Sequence, residues 1–138
     1  MRLRKNAKVE LIKAVPLFSR CTRKELEALA AEADELPLPA GRPLTTQGDR
    51  GREFMVLVEG TADVHRDGRR INELGPGDFI GEIALLTGMP RTATVTTTSE
   101  ALLLVLTDRA FRRVVERMPS VQDRVVAALA ARLEADAL

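Results

Sequence analysis

From Ala40 to about Thr107 the chain cannot sustain a long helix, because glycine and proline interrupt it every few residues. Gly41, Gly48, Gly51, Gly60, Gly68, Gly75-Pro76-Gly77 and Gly88 separate short apolar runs. Glycine accepts left-handed backbone and proline cannot donate to a hydrogen-bond ladder, so such punctuation marks turns. The runs between are Glu53–Glu59, Ala62–His65, Ile71–Leu74, Thr92–Thr98 and Ala101–Leu106. Strands this short, with turns at this spacing, predict an antiparallel sandwich or barrel. Asp67-Gly68 predicts a tight hairpin between the residues on either side of it. Thr92, Thr94, Thr96 and Thr98 alternate with Ala93, Val95 and Thr97, the pattern of a strand with one wet face.

Both flanks read as helix. Val9–Val15 is a short helical segment stopped by Pro16, and Thr22-Arg23-Lys24-Glu25 is a capping box opening a helix to about Ala33. Pro37 and Pro39 forbid its continuation. After the β region, Thr107-Asp108 supplies an N-cap for an amphipathic helix over Arg109–Arg117. Met118-Pro119-Ser120 breaks the chain. A last helix from Val121 to about Ala137 carries Val121, Val125, Leu129 and Leu133 on one stripe. The expected fold class is α+β, mainly β: an antiparallel, jelly-roll-like β-roll with N-terminal helices and two C-terminal helices. Its expected bounds are a helical segment at 8–34, the β-roll at 40–107 and the C-terminal helices at 108–137, within one domain of 138 residues.

Composition removes several function classes. Twenty-one basic and 20 acidic residues leave a net charge of +1, so no global field attracts nucleic acid or an acidic membrane. There is no Trp or Tyr for stacking on bases. The single Cys21 excludes a disulfide framework and a cysteine-ligated cluster. One histidine, His65, is too few for a cupin-type metal enzyme or a nucleophile–histidine constellation, so no catalytic activity is expected. Met1-Arg2-Leu3-Arg4-Lys5 is basic, but no apolar signal core follows it, and no apolar run approaches the roughly 20 residues of a membrane span. The expectation is a soluble, cytoplasmic chain.

The stretch from Phe79 to Val95, Phe-Ile-Gly-Glu-Ile-Ala-Leu-Leu-Thr-Gly-Met-Pro-Arg-Thr-Ala-Thr-Val, carries the chemistry. It sets Glu82 and Arg91 nine residues apart across a short turn of apolar helix formers that Gly81 opens. A guanidinium is a planar fork able to bond two oxygens of a phosphate, and a carboxylate accepts from a hydroxyl. Gly81 admits close backbone approach, and the first amides of the following turn are unpaired donors. The whole run closely resembles the phosphate-binding cassette of the cyclic-nucleotide-binding domain family. That family includes the sensor domain of catabolite activator protein, protein kinase A regulatory subunits and cyclic-nucleotide-gated channels. Helix, β-roll and two further helices is also that family's layout, so the resemblance covers nearly the whole chain.

The resemblance implies that Arg91 pairs with a cyclic phosphate and Glu82 accepts the ribose 2′-hydroxyl. Gly81, Ile83, Ala84 and Thr92 would present backbone to phosphate and ribose. Thr92 is also placed to reach the 2-amino group of a guanine, which leaves cAMP and cGMP both open, with cAMP the more general ligand of the family. Val64 and Leu74 are candidates for an apolar wall against the base, and core packing is the other role open to each. Leu129, Arg132 and Leu133 are candidates for a lid from the last helix. No cofactor is implied beyond the cyclic nucleotide itself.

Two readings from different classes follow. The first is a ligand-sensing regulatory module that relays binding through its C-terminal helix to an effector domain or protein of unknown identity. The second is an interaction scaffold that keeps the fold around a vestigial pocket. The intact Glu82/Arg91 pair favours the first. Relatives with this fold that bind an iron–sulfur cluster need four cysteines, which this composition lacks, and a haem-binding version would have to take its axial ligand from His65, Cys21 or a chain terminus, with nothing else in the sequence to support it. The family's transcription factors append a helix-turn-helix, whereas this sequence ends at Leu138, so DNA binding is not expected. The expected relay runs from the Gly81–Arg91 turn through a hinge around Arg112–Ser120. The stripe of the last helix packs either on its own β-roll or on a second copy in a homodimer.

Overall fold

A computed structural model describes residues 5–136, with side chains from 6 to 134. Ala137, the expected end of the last helix, lies outside the described residues, as does the basic start from Met1 to Arg4. Helix α1 (Lys5–Lys13) leads through a 3-10 turn (Pro16–Phe18) into α2 (Arg23–Glu32). The capping box forms at the start of α2: Glu25 N–H donates to Thr22 Oγ1 at 3.2 Å and Thr22 N–H to Glu25 Oε1 at 2.8 Å.

Eight strands follow, interrupted once. They are β1 (Asp34–Leu38), β2 (Pro43–Thr45), β3 (Glu53–Glu59), β4 (Ala62–Arg66), β5 (Arg69–Leu74), β6 (Phe79–Ile80), β7 (Thr94–Thr97) and β8 (Ala101–Thr107). Helix α3 (Glu82–Thr87) sits between β6 and β7, and α4 (Asp108–Arg117) and α5 (Pro119–Asp136) close the chain. All pairing is antiparallel, in two four-stranded sheets ordered β1-β8-β3-β6 and β2-β7-β4-β5. Asp67 and Gly68 both adopt positive φ, 53° and 78°, and join β4 to β5 as the expected two-residue hairpin.

The β region starts at Asp34, ahead of the expected Ala40. Pro37 excludes helix but not an edge strand, and β1 is an edge of its sheet, paired to β8 alone. The strand expected over Thr92–Thr98 is shorter, Thr94–Thr97, although Ala93, Val95 and Thr97 are buried as the alternation implied.

Strand β3 is an unbroken apolar run because both of its faces are covered. Phe54 and Val56 turn toward the helices, where Val9, Ile12, Leu29, Phe111, Val114 and Val125 complete one core. Met55 and Leu57 turn inward with Ala62, Leu74, Val95 and Leu103, forming a second core between the sheets. The Phe54 ring stacks on Phe111 of α4, with centroids 4.5 Å apart, and tilts against Phe79 at 5.5 Å. Val121 and Val125 of α5 are buried within this chain, so this half of the stripe packs on its own β-roll. Leu129 and Leu133 are half-buried. Met118 leaves helical geometry between α4 and α5, at φ −124° and ψ 87°, as the residue before Pro119 must.

Candidate functional site

The site is built around α3. Gly81 caps its start at φ 109°, a backbone conformation that L residues avoid. A Cβ there would lie 2.5 Å from the Glu53 carbonyl oxygen and 2.9 Å from Arg91 Nη1. Only glycine brings β6, β3 and Arg91 this close together. Gly88 ends the helix, also left-handed at φ 73°, and turns the chain toward Arg91.

Arg91 is 8% exposed. Its backbone is strapped to the loop before β3: its N–H donates to Asp49 O at 2.8 Å, and its carbonyl accepts from Gly48 N–H at 2.9 Å. Nη2 donates to Glu53 O at 2.8 Å, whereas Nη1 is buried with no hydrogen-bond partner. Burial pushes this guanidinium below the ordinary arginine range, with Glu53 and Glu82 opposing the shift.

Glu82 is wholly buried, at 0% exposure. Oε1 accepts from Arg132 Nη1 of α5, and Oε2 has no partner. Arg132 also donates through Nη2 to Phe79 O at 2.6 Å and lies 5.2 Å from the Phe79 ring centroid. From the other side, Arg112 of α4 donates to Leu85 O near the end of α3 at 3.2 Å. Guanidinium groups from both C-terminal helices therefore hold the short helix.

These groups border a cavity of about 410 Å³, within the size range of small-molecule sites. Gly81, Glu82, Ile83, Ala84, Arg91 and Thr92 all line it, as do Val64, Leu74 and Arg132. Leu129 and Leu133 do not line it; of the three lid candidates only the arginine reaches the cavity. Sequence reasoning missed Thr45, Arg66, Ile71 and Asn72, which also line it. Thr45 Oγ1 donates to Ala93 O at 3.0 Å and Arg66 Nε to Thr92 O at 2.9 Å, fixing the backbone after Arg91. Arg66 was within reach of sequence reasoning, two residues beyond Val64 on the same strand face. Gly51 is a further contributor, since a Cβ there would lie 2.5 Å from Arg91 Nε. Among the described residues, no group of three His, Cys, Asp or Glu could hold a metal ion. No helix among them is long and apolar enough to cross a membrane.

A family model described as "Cyclic nucleotide-binding domain" matches residues 35–118. The chain belongs to the cyclic-nucleotide-binding domain family. Among proteins similar to it, the cAMP-dependent protein kinase regulatory subunit of Mycosarcoma maydis is 34% identical over 119 residues, covering 80% of this chain and 23% of that protein. A cyclic nucleotide-gated potassium channel of Rhizobium etli is 32% identical over 116 residues, covering 84% and 32%. The crystal structure of Thermus thermophilus catabolite activator protein superposes with a TM-score of 0.77 at 31% identity, over 88% of this chain and 60% of that one. The chain thus spans about a quarter to a third of the two sequence relatives, which are regulatory or channel proteins. The family's β-roll is the fold described above, and the Glu82–Arg91 segment falls inside the matched residues.

Proposed function

We propose that the cavity binds a 3′,5′-cyclic nucleotide, cAMP or cGMP, and that the chain is a ligand-sensing regulatory module. The observation that carries this reading is a pair of buried, unsatisfied and complementary atoms on one cavity wall. Arg91 Nη1 is a cationic donor without an acceptor, and Glu82 Oε2 is an acceptor without a donor. Buried polar atoms are normally paired, and leaving one unmade costs about 1–3 kcal/mol. A ligand carrying an anionic phosphate and an adjacent hydroxyl satisfies both at once. The cyclic phosphate takes Arg91 and the ribose 2′-hydroxyl takes Glu82. The first amides of α3, at Ile83 and Ala84, face the same anion. A scaffold with a vestigial pocket has no use for two buried charges held in this way.

The output of the module is the last helix. Arg132 is bonded to the same carboxylate that receives the ribose, so ligand arriving at Oε2 changes the environment of the α5 anchor. The ligand shifts α5 by the difference in its affinity for the two helix positions, and an effector beyond α5 reads that shift. Thermal melting with added nucleotide tests the binding step. cAMP or cGMP should raise Tm in a concentration-dependent way, and 5′-AMP and 5′-GMP, which lack the ring phosphate, should not. No shift with either cyclic nucleotide contradicts the reading.

A further inference from the structure

Strands β2 and β4 lie on either side of β7, and β7 begins only at Thr94. On the side toward Arg91 the ladder ends where His65 of β4 faces Thr94 and Thr45 of β2 faces Val95. Arg91 and Thr92 therefore run past the end of the sheet, and loops rather than strands hold their backbone.

A side-chain bridge joins those loops. Gln47, just past β2, donates from Nε2 to Asp67 Oδ1 at 2.8 Å and accepts at Oε1 from the Asp67 backbone N–H, also at 2.8 Å. The carboxamide cannot be reversed, because the backbone N–H only donates and the carboxylate only accepts. The Asp67 N–H is available because the β4–β5 ladder closes where Arg66 faces Arg69, which leaves the two turn residues outside it.

The bridge closes a circuit of hydrogen bonds around the Arg91–Thr92 peptide. Gly48, next to Gln47, donates its N–H to Arg91 O at 2.9 Å. Arg66, next to Asp67, donates from Nε to Thr92 O at 2.9 Å. The Gln47 N–H adds a bond to Thr94 Oγ1 at 2.9 Å. Two successive carbonyls are thus held by donors from two loops, and Gln47 locks one loop to the other. Neither Gln47 nor Asp67 lines the cavity.

We propose that Gln47 is a positioning residue for the phosphate arginine. By tying the loop after β2 to the tip of the β4–β5 hairpin, it fixes the Arg91–Thr92 backbone without touching the ligand. The inference rests on the cyclic-nucleotide reading, which places the phosphate at Arg91. Gln47 and Asp67 are both exposed, so losing their bridge should alter binding while leaving the melting curve in place.

The test is calorimetric titration of cAMP and cGMP into the wild type, Gln47→Ala, Gln47→Glu and the double variant Gln47→Glu/Asp67→Asn, with a melting curve for each. Gln47→Ala removes the bridge, and Gln47→Glu sets two carboxylates against each other. Each should weaken the preferred nucleotide by about threefold to tenfold, the scale of one hydrogen bond. The double variant exchanges the roles: the new amide at 67 donates to the new carboxylate at 47, which still accepts from the backbone N–H of residue 67. It should return affinity to within about twofold of the wild type. Wild-type affinity in both single variants overturns the inference while the cyclic-nucleotide reading stands. So does a loss that the double variant fails to restore, or one that tracks a fall in Tm. A wild type that binds neither nucleotide overturns both.

Discussion

Arg132 on α5 donates to Oε1 of Glu82, 50 residues earlier at the first turn of α3. The same guanidinium donates to the Phe79 carbonyl and covers the Phe79 ring, which packs on Phe54 in the helix-side core. One side chain therefore ties the last helix, the cavity wall and the core together. Its carboxylate partner is fully buried whereas Arg132 itself is about one-third exposed. The pair thus depends on the helix staying in place.

Arg132→Ala should release the C-terminal half of α5 without unfolding the β-roll. It leaves Glu82 buried without its cation, which costs about 1–3 kcal/mol after allowance for the exposure of Arg132. Hydrogen exchange should accelerate over residues 126–136, and much less over β3 and β8. Uniform acceleration across the chain would contradict a local latch.

Gly81→Ala should destabilise by about 1–3 kcal/mol and abolish nucleotide binding. The new Cβ meets Glu53 O at 2.5 Å in a left-handed backbone. Gly68→Ala is the control, since that glycine also has positive φ, 78°, but nothing lies within 4 Å of the added Cβ. It should cost only about 1 kcal/mol and leave binding intact. Denaturant unfolding separates the two variants.

How much of this was legible in the sequence follows the range of the interactions. The Asp67-Gly68 hairpin and the Thr22/Glu25 capping box are set by neighbouring residues, and both form as read. Glu82 and Arg91 lie in one contiguous stretch, and it was the resemblance of that stretch to the family's phosphate-binding cassette, not the spacing alone, that implied the shared cavity they line. Strand β1 was hidden by Pro37, which bars a helix interior but bars a strand only away from an edge. The β-bulge at Ile71, where Val64 faces Asn72 but His65 faces Arg70, was invisible because register belongs to two strands together, not to either one. Thr45 and Gly51 reach the site through pairing and packing with a segment some 40 residues away, which leaves no local trace. Among the lid candidates, Leu129 and Leu133 share the apolar stripe of α5, but the cavity meets the neighbouring row, which carries Arg132.

Cys21 should react slowly with alkylating reagents at neutral pH. Burial raises its thiol above the ordinary 9.0, with Glu25 adding to the shift, while a hydrogen bond from Ser120 and the charge of Arg124 oppose it. The folded chain therefore holds the thiol proton more tightly than the unfolded chain does. Stability is unaffected by this group below about pH 9 and falls as pH rises past the unfolded value. Alkylation rates of native and denatured protein compared at one pH would check the sign. Faster reaction of the native thiol would contradict it.

The most direct test of the central claim is calorimetric titration of cAMP and cGMP into the wild type, Arg91→Lys and Arg91→Ala, each first shown to be folded by its melting curve. Removal of a buried, charge-assisted donor from the phosphate should weaken the preferred nucleotide by at least about 100-fold in Arg91→Ala. Arg91→Lys, which keeps the charge but loses the fork, should fall between the two. Binding in the wild type with unchanged affinity in a folded Arg91→Ala would contradict the assignment of Arg91 as the phosphate ligand.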